Sequence, residues 1–257
     1  MEAHSGLHRR DTSAMETARA LRPLLCELHA HSTWSDGDLS IGQLVDLYGG
    51  AGFDVLCVTD HAVPETDGWR LPLSAASHPR YLEELRAQGE RALQTYDLVL
   101  VPGLELTFND ADPDLAAHVL AVGLDSWVSM EDGPEAAMRE ARALGAAVIA
   151  AHPHDDTNGD PVPFRTTRRF WRTPGRMRTL VDRYELINRW DVFSWVAAEG
   201  LPGIASGDFH RTEHLATWKT LLPCTHREQA VVEYLRSDQP AFVTRVPMPE
   251  REAQAVA

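Results

Sequence analysis

Along most of the chain, short runs of Leu, Val, Ile and Ala alternate with longer stretches in which apolar residues recur every three or four positions. The short runs read as buried strands: LLCELHAH from Leu24, DVLCVTDH from Asp54, LVLVPGLEL from Leu98, AAHVLAVG from Ala116, AAVIAAHPH from Ala146, YELIN from Tyr184 and GIASGDFH from Gly203. Two intervening stretches read as helical crossovers. SIGQLVDLYGGAGF opens on Ser40, a residue suited to N-capping, and runs out at Gly49–Gly50; PEAAMREARALGA keeps helical spacing up to Gly145.

Such alternation implies an α/β fold with a mainly parallel sheet, and seven strands suit a barrel. No repeat, low-complexity linker or shift in composition interrupts residues 21–246, so one domain is expected there, with a flexible leader over residues 1–20 and a flexible tail over 247–257. Two connections, residues 62–78 and 154–180, are longer than a crossover needs and are rich in Pro, Gly and turn formers. Loops of that length in a compact domain are expected to wall a site.

Composition excludes several classes of function. With 24 Lys and Arg against 38 Asp and Glu, the net charge is −14, and such a surface repels phosphate backbones; nucleic acid is not expected as a partner, short single strands apart. Three cysteines at wide spacing, Cys26, Cys57 and Cys224, form no disulfide framework and suit a reducing, cytoplasmic setting. No apolar run reaches the roughly 18 residues that a membrane span needs, so no membrane is expected, and the first residues contain no apolar signal region.

The chemistry gathers where the predicted strands end. ELHAHSTWSDG places His29 and His31 two apart, on one side of an extended chain, with Asp36 in the loop that follows. TDHAV adds Asp60 and His61, GLEL adds Glu105, AAHVL adds His118, AAHPH adds His152 and His154, and SGDFH adds Asp208 and His210. One such histidine is ordinarily a hydrogen-bonded structural residue. Six of the 12 at one end of different strands, gathered with three carboxylates, would be very costly to bury together without metal. Imidazole and carboxylate donors in this mixture suit Zn, Mn or Fe.

In HAHSTWSDG, VTDH, the Glu of PGLEL, AHPH and GDFH, in that order between about Glu27 and His210, the chain resembles the polymerase and histidinol phosphatase family of metal-dependent phosphoesterases. The resemblance implies a distorted (β/α)7 TIM-like barrel, a single domain, with three divalent metal ions. One would be held by His29, His31, Glu105 and Asp208, a second by Asp36, His61 and His210, and a third by Glu105, His118 and His152, with Glu105 as the bridge. Asp36 stands where some members carry histidine. The amidohydrolases also carry a first-strand HxH but often bridge two ions with a carboxylated lysine; the sole lysine here, Lys219, follows the last ligand strand, which leaves the bridge to a carboxylate.

The implied activity is hydrolysis of a small phosphorylated substrate, a phosphomonoester, by a water whose pKa the ions lower from 15.7 toward about 7. Asp60 is expected to orient an imidazole or receive the water's proton, and His154 and His214 are candidate acids for the leaving group. The second long loop holds Arg165, Arg168, Arg169, Arg172, Arg176 and Arg178 among Phe164, Phe170 and Trp171, the one cationic cluster in an acidic chain; the expectation is a phosphate clamp in which part of the cluster reaches substrate. Trp34, and also Trp69 in the first loop, are candidates for the pocket wall. Only 33 residues separate His118 from His152, too few for the inserted domain of some relatives, so the pocket must come from loops. Two other readings stay open at this point: a nuclease or phosphodiesterase on short single strands, and a noncatalytic barrel serving as an interaction platform.

Overall fold

All seven expected strands form, and three more join them. The computed structural model describes residues 22–155 and 167–247; the expected leader, nearly all of the tail, Phe164 and Arg165 lie outside these residues. The strands are β1 (Leu24–Glu27), β2 (Val55–Ala62), β3 (Val99–Phe108), β4 (Ala117–Val122), β5 (Ala147–Ala150), β6 (Arg183–Asn188), β7 (Asp191–Val192), β8 (Gly203–Ser206), β9 (Trp218–Leu222) and β10 (Phe242–Arg245). They build one mixed sheet in the order β10-β9-β1-β2-β3-β4-β5-β6-β7, with β8 paired to β6. The sheet curls into a half-barrel, and β1 and β8 approach each other beyond their ladders through an isolated bridge between Ala30 and Phe209.

Strict β/α alternation is not followed. β4 runs antiparallel to both β3 and β5, and the short connection before it contains no helix. β9 lies antiparallel against β1, with Leu24 opposite Leu222. Its sequence, WKTLL, carries a lysine where a buried strand ordinarily has an apolar residue, which hides it from a hydrophobic pattern.

The expected crossovers are α1 (Ile41–Gly50) and α3 (Pro134–Ala143). Ser40 closes a capping box on α1: its hydroxyl accepts the Gln43 N–H at 3.3 Å, and its own N–H donates to Gln43 Oε1 at 2.9 Å. The long helix α2 (His78–Tyr96) buries Tyr81, Leu82, Leu85 and Ala92. A Cβ at Gly49 would lie 2.4 Å from the Tyr96 ring, so the close approach of α1 to α2 requires glycine there. Two short helices follow in the second long loop, α4 (Arg169–Arg172) and α5 (Pro174–Met177), then α6 (Ser194–Ala198) and α7 (Glu228–Leu235). Among the described residues no helix is long and apolar enough to cross a membrane.

Alternate strand residues separate into two apolar clusters. One takes Cys26, Val55, Cys57, Val101, Leu120, Val122, Ala147, Ile149 and Ile204 from the strands together with Val231, Val232 and Leu235 of α7; the other takes Leu56, Val58, Leu100, Leu104, Val119, Ala121 and Val148 together with α1 to α3. This period of two continues past the apolar residues and sorts the polar ones. Thr59 and His61 follow Val55 and Cys57, Gly103 and Glu105 follow Val101, and His118 precedes Leu120 on the same face.

Under the ends of β1 and β8 lies a fully buried ion pair, Lys219 Nζ to Glu27 Oε2 at 2.7 Å. Glu27 Oε1 also accepts the N–H groups of Leu28, His29 and Gly207 at 3.0, 3.1 and 2.8 Å, and Oε2 accepts the Tyr48 hydroxyl at 2.9 Å. Lys219 donates further to the His214 carbonyl at 3.0 Å and to Thr217 Oγ1 at 2.7 Å. A Cβ at Gly207 would stand 2.2 Å from Lys219 Nζ and 2.3 Å from Glu27 Oε2, so no other residue fits over the pair. Lys219→Met leaves the Glu27 carboxylate buried without its cation and should cost about 3–5 kcal/mol, read as a lower urea midpoint at unchanged m-value. Glu27→Gln combined with Lys219→Met should recover part of that loss, whereas equal midpoints for wild type and Lys219→Met would show that the pair is not structural.

Candidate metal centre

Five of the predicted donors lie on or just past β1, β2, β3 and β4, where the inward face of the sheet turns polar. His118 stands at the start of its strand and not at the end; because β4 is reversed, its first residues lie beside the last residues of β3, with Thr107 opposite His118. His152 and Asp208 follow β5 and β8 at positive φ, +29° and +41°, a backbone state that breaks strand alternation and is tolerated where surrounding contacts enforce it.

The HSTWSDG loop doubles back to return Asp36 to the imidazoles. Asp60 organises that turn: its carboxylate accepts the Ser32 N–H at 2.8 Å, the Ser32 hydroxyl at 2.7 Å and the Ser35 hydroxyl at 2.5 Å. A Cβ on Gly37 would lie 2.2 Å from the His31 carbonyl oxygen, which fixes glycine at the tightest point. Asp38 N–H then donates to the His210 carbonyl at 2.8 Å, tying this loop to the one after β8.

Nine side chains form three groups whose donor atoms lie within 4.8 Å of one another: His31, Asp36, His61 and His210; His29, His31 and Asp208; Glu105, His118 and His152. His31 thus belongs to two groups, where the sequence reading assigned it to one. Glu105 joins the groups. Its Oε2 lies 3.0 Å from His61 Nδ1, 3.2 Å from His29 Nε2 and 3.3 Å from His31 Nε2, while its Oε1 lies 3.2 Å from His118 Nδ1 and 3.4 Å from His152 Nε2. Asp36 Oδ1 stands 3.3 Å from His210 Nε2 and 3.6 Å from His61 Nε2. Asp208 Oδ1 stands 3.6 Å from His29 Nε2 and 3.5 Å from His31 Nε2.

The electrostatics are those of buried groups of opposite sign. Burial pushes His29 and His31 down, but the facing carboxylates outweigh it: Asp208, Glu185 and Glu105 raise His29 well above its usual range, and hydrogen bonds to Asp208 and Glu105 raise His31 to about 9. His61, where burial wins, falls to about 3. Burial would raise Glu105 and Asp208, yet the surrounding imidazoles hold both well below the carboxylate range.

Partners beyond the nine orient them. Glu185, fully buried, accepts from His29 Nδ1 at 2.8 Å, from the His152 N–H at 2.6 Å, from Asn188 Nδ2 at 2.8 Å and from the Ser206 hydroxyl. Asn109 Oδ1 takes His118 Nε2 at 3.1 Å, which directs Nδ1 at Glu105. Thr107 holds His61 Nδ1 at 2.7 Å, and Arg189 lies 3.0 Å from both Asp208 Oδ2 and His210 Nδ1. The sequence offered a signal for Glu27 and Glu185 alone, a carboxylate inside an apolar strand run, in LLCELHAH and YELIN.

The other residues expected at the site have these surroundings. Asp60 bonds the serines of the turn, and Ser35 Oγ lies 3.4 Å from His31 Nδ1, so its link to that imidazole runs through Ser35. His214 Nδ1 accepts the His210 N–H at 3.1 Å, and burial and the nearby Arg189 lower its pKa to about 4. His154 belongs to none of the three groups, packs edge-on against Phe193 at 4.9 Å, and is lowered by burial and by His152. The described arginines of the cluster share three carboxylates: Arg168 and Arg172 face Asp114 at 2.9 and 3.5 Å, Arg169 and Arg176 face Glu135 at 3.4 and 2.7 Å, and Arg178 faces Glu199 at 2.7 Å. Trp34 donates to Glu84 at 2.8 Å and packs on Tyr81. Trp69, in contrast, lies 4.8 Å, centroid to centroid, from His61.

The donor set fits divalent cations. Glu105 Oε1 and His118 Nδ1 are buried with no hydrogen-bond partner, an expensive condition unless a cation sits between them. Nitrogen and carboxylate oxygen together match borderline first-row metals.

The sequence matches no family model and no curated protein. The fold is similar to that of a solved two-domain protein from Bacteroides vulgatus, described as containing a predicted PHP-like metal-dependent phosphoesterase, PHP denoting polymerase and histidinol phosphatase: TM-score 0.63 at 19% identity, over 88% of this chain and 66% of that one. The present chain therefore spans just under two thirds of that protein's length. A candidate metal-dependent phosphoesterase from Bifidobacterium adolescentis is more distant, with a TM-score of 0.48 at 13% identity over 72% of this chain and 87% of that one. The first likeness is one of fold, and it supports the resemblance read from the motifs.

Because Glu185 holds His29 through Nδ1, Glu185→Gln should weaken divalent-cation binding by about 10- to 100-fold, with the circular dichroism spectrum retained. Competition with a chromophoric chelator measures this. Unchanged affinity would reduce Glu185 to a core residue.

Proposed function

We propose that the protein is a metal-dependent phosphoesterase acting on a small phosphomonoester at a centre of three divalent cations, in a distorted TIM-like barrel. The observation that carries this reading is the division of Glu105, whose Oε2 faces His29, His31 and His61, whose Oε1 faces His118 and His152, and whose Oε1 has no hydrogen-bond partner. In this reading His29, His31, Asp208 and Glu105 hold one cation, Asp36, His61 and His210 a second, and Glu105, His118 and His152 a third, with Mn, Zn and Fe the candidates. Bound there, such cations lower the pKa of water and neutralise phosphoryl oxygens.

The chain's own residues supply rigidity and charge balance. Three ligand carboxylates, Asp36, Glu105 and Asp208, carry fewer negative charges than three dications carry positive, so the pit attracts a phosphate dianion although the chain as a whole is acidic. Arg189 holds Asp208 and His210 together from one side. The Ser32–Asp60–Ser35 contacts hold the turn that returns Asp36 to the imidazoles, and Trp69 packs against His61.

A monoester is favoured over an internal diester because a terminal dianion engages several cations at once. The nuclease reading rested on the arginine loop, and its described guanidinium groups, those of Arg168, Arg169, Arg172, Arg176 and Arg178, each face a carboxylate.

Elemental analysis of the purified or reconstituted protein should find two to three transition-metal ions per chain. Glu105→Gln should lose metal and phosphatase activity together while the fold survives. Rates on a nucleoside monophosphate, an amino alcohol phosphate and a single-stranded oligonucleotide complete the test: internal cutting of the oligonucleotide with both monoesters untouched would overturn the phosphatase assignment, and less than one ion per chain after reconstitution would overturn the metal centre.

A further inference from the structure

Beside the metal groups lies a half-open cavity of about 640 Å3 bordered by the first long loop and by the segment between β4 and α3. Its wall begins at Val63 and Pro64, two and three residues after His61, and continues through Trp69, whose indole ring meets the His61 imidazole. Leu73, Trp127 and Met130 contribute further apolar surface. The volume is that of a small-molecule pocket, and these apolar side chains share the wall with Glu65, Arg70, Ser74, Ser129 and Glu131.

Charge narrows the occupant. Two carboxylates, Glu65 and Glu131, border the cavity against one guanidinium, Arg70, and Glu131 Oε1 also accepts the Glu65 N–H at 3.2 Å. A second anionic group on the ligand would meet an excess of negative charge there. Two indoles instead offer flat apolar faces of the kind on which rings stack.

We propose that this cavity receives the leaving group of the substrate, and that the group is an uncharged, flat, apolar alcohol held by Trp69 and Trp127 while the phosphoryl group faces Glu105 and its neighbours. The assignment rests on the phosphoesterase reading of the adjoining groups. It also sets a direction: the ester oxygen points from His61 toward Trp69.

Binding and turnover separate the two. Ethylphosphonate, 2-phenylethylphosphonate and 2-carboxyethylphosphonate, none of them hydrolysable, are titrated calorimetrically into the metal-loaded protein. The phenylethyl compound should bind about 10- to 100-fold more tightly than the ethyl compound, as expected for burying one aromatic ring, and the carboxyethyl compound no more tightly. Trp127→Ala should abolish most of that difference with metal content per chain unchanged. If that variant fails to fold, Trp127→Leu keeps an apolar side chain against His78, whose ring lies 5.5 Å from the indole, and removes the flat face. Equal affinities for the ethyl and phenylethyl compounds, tightest binding by the carboxyethyl compound, or no binding at all would overturn the proposal. If 2-phenylethyl phosphate and ethyl phosphate both resist hydrolysis while the phosphonate preference holds, the phosphoesterase reading fails and the pocket stands. Hydrolysis of both without any binding preference does the reverse.

Discussion

A carboxylate sealed beneath two strand ends has to be matched with charge and N–H groups, and Glu27 is that carboxylate. Lys219 matches it from β9, Tyr48 from α1, and the amides of His29 and Gly207 from the chains that run on into the metal groups. The HxH arm after β1 and the Asp208–His210 arm after β8 are therefore fixed to one buried anchor. Burying such a pair is costly and gives little net stability by itself. What it confers is position: the two arms that supply His29, His31, Asp208 and His210 cannot move independently.

The site shows the same economy of shared parts. His31 and Glu105 each stand between groups, so nine side chains serve three clusters and no cluster is independent of the next. Sharing confines the geometry, since a rotation of Glu105 that favours the His118–His152 side alters the distances to His29 and His31. The partners that hold the imidazoles in turn, Glu185, Asn109 and Thr107, are uncharged or fully buried, which limits their own freedom.

Much of this was legible in the sequence because the ligands stand on short, regular strands. A period of two places Cys57 and His61, or Val101 and Glu105, on one face whatever surrounds them, so the apolar pattern that identifies the strand also orients the donor. The legible part ends where tertiary partners decide. WKTLL pairs between β1 and β10 with Glu27 against its lysine, and nothing local to that segment announces the pairing. The arginines of the second long loop formed the most conspicuous cluster of charge in the chain, yet each described one faces a carboxylate; composition counts charge and does not show its partner. His118 was found for an incomplete reason, since a strand start serves as well as a strand end once the strand is reversed.

That reversal has a consequence for how much chain must be closed to make each half of the site. β3, β4 and β5 form an antiparallel meander of neighbours, so Glu105, His118 and His152 are brought together by contacts of short sequence separation. The other half requires the approach of β1 and β8, where Glu27 and Gly207 lie 180 positions apart. Loop-closure entropy makes contacts of high contact order late to reward the chain. One half of the centre thus belongs to a single supersecondary unit, and the other exists only when the end of β8 has come round to β1, 180 positions earlier.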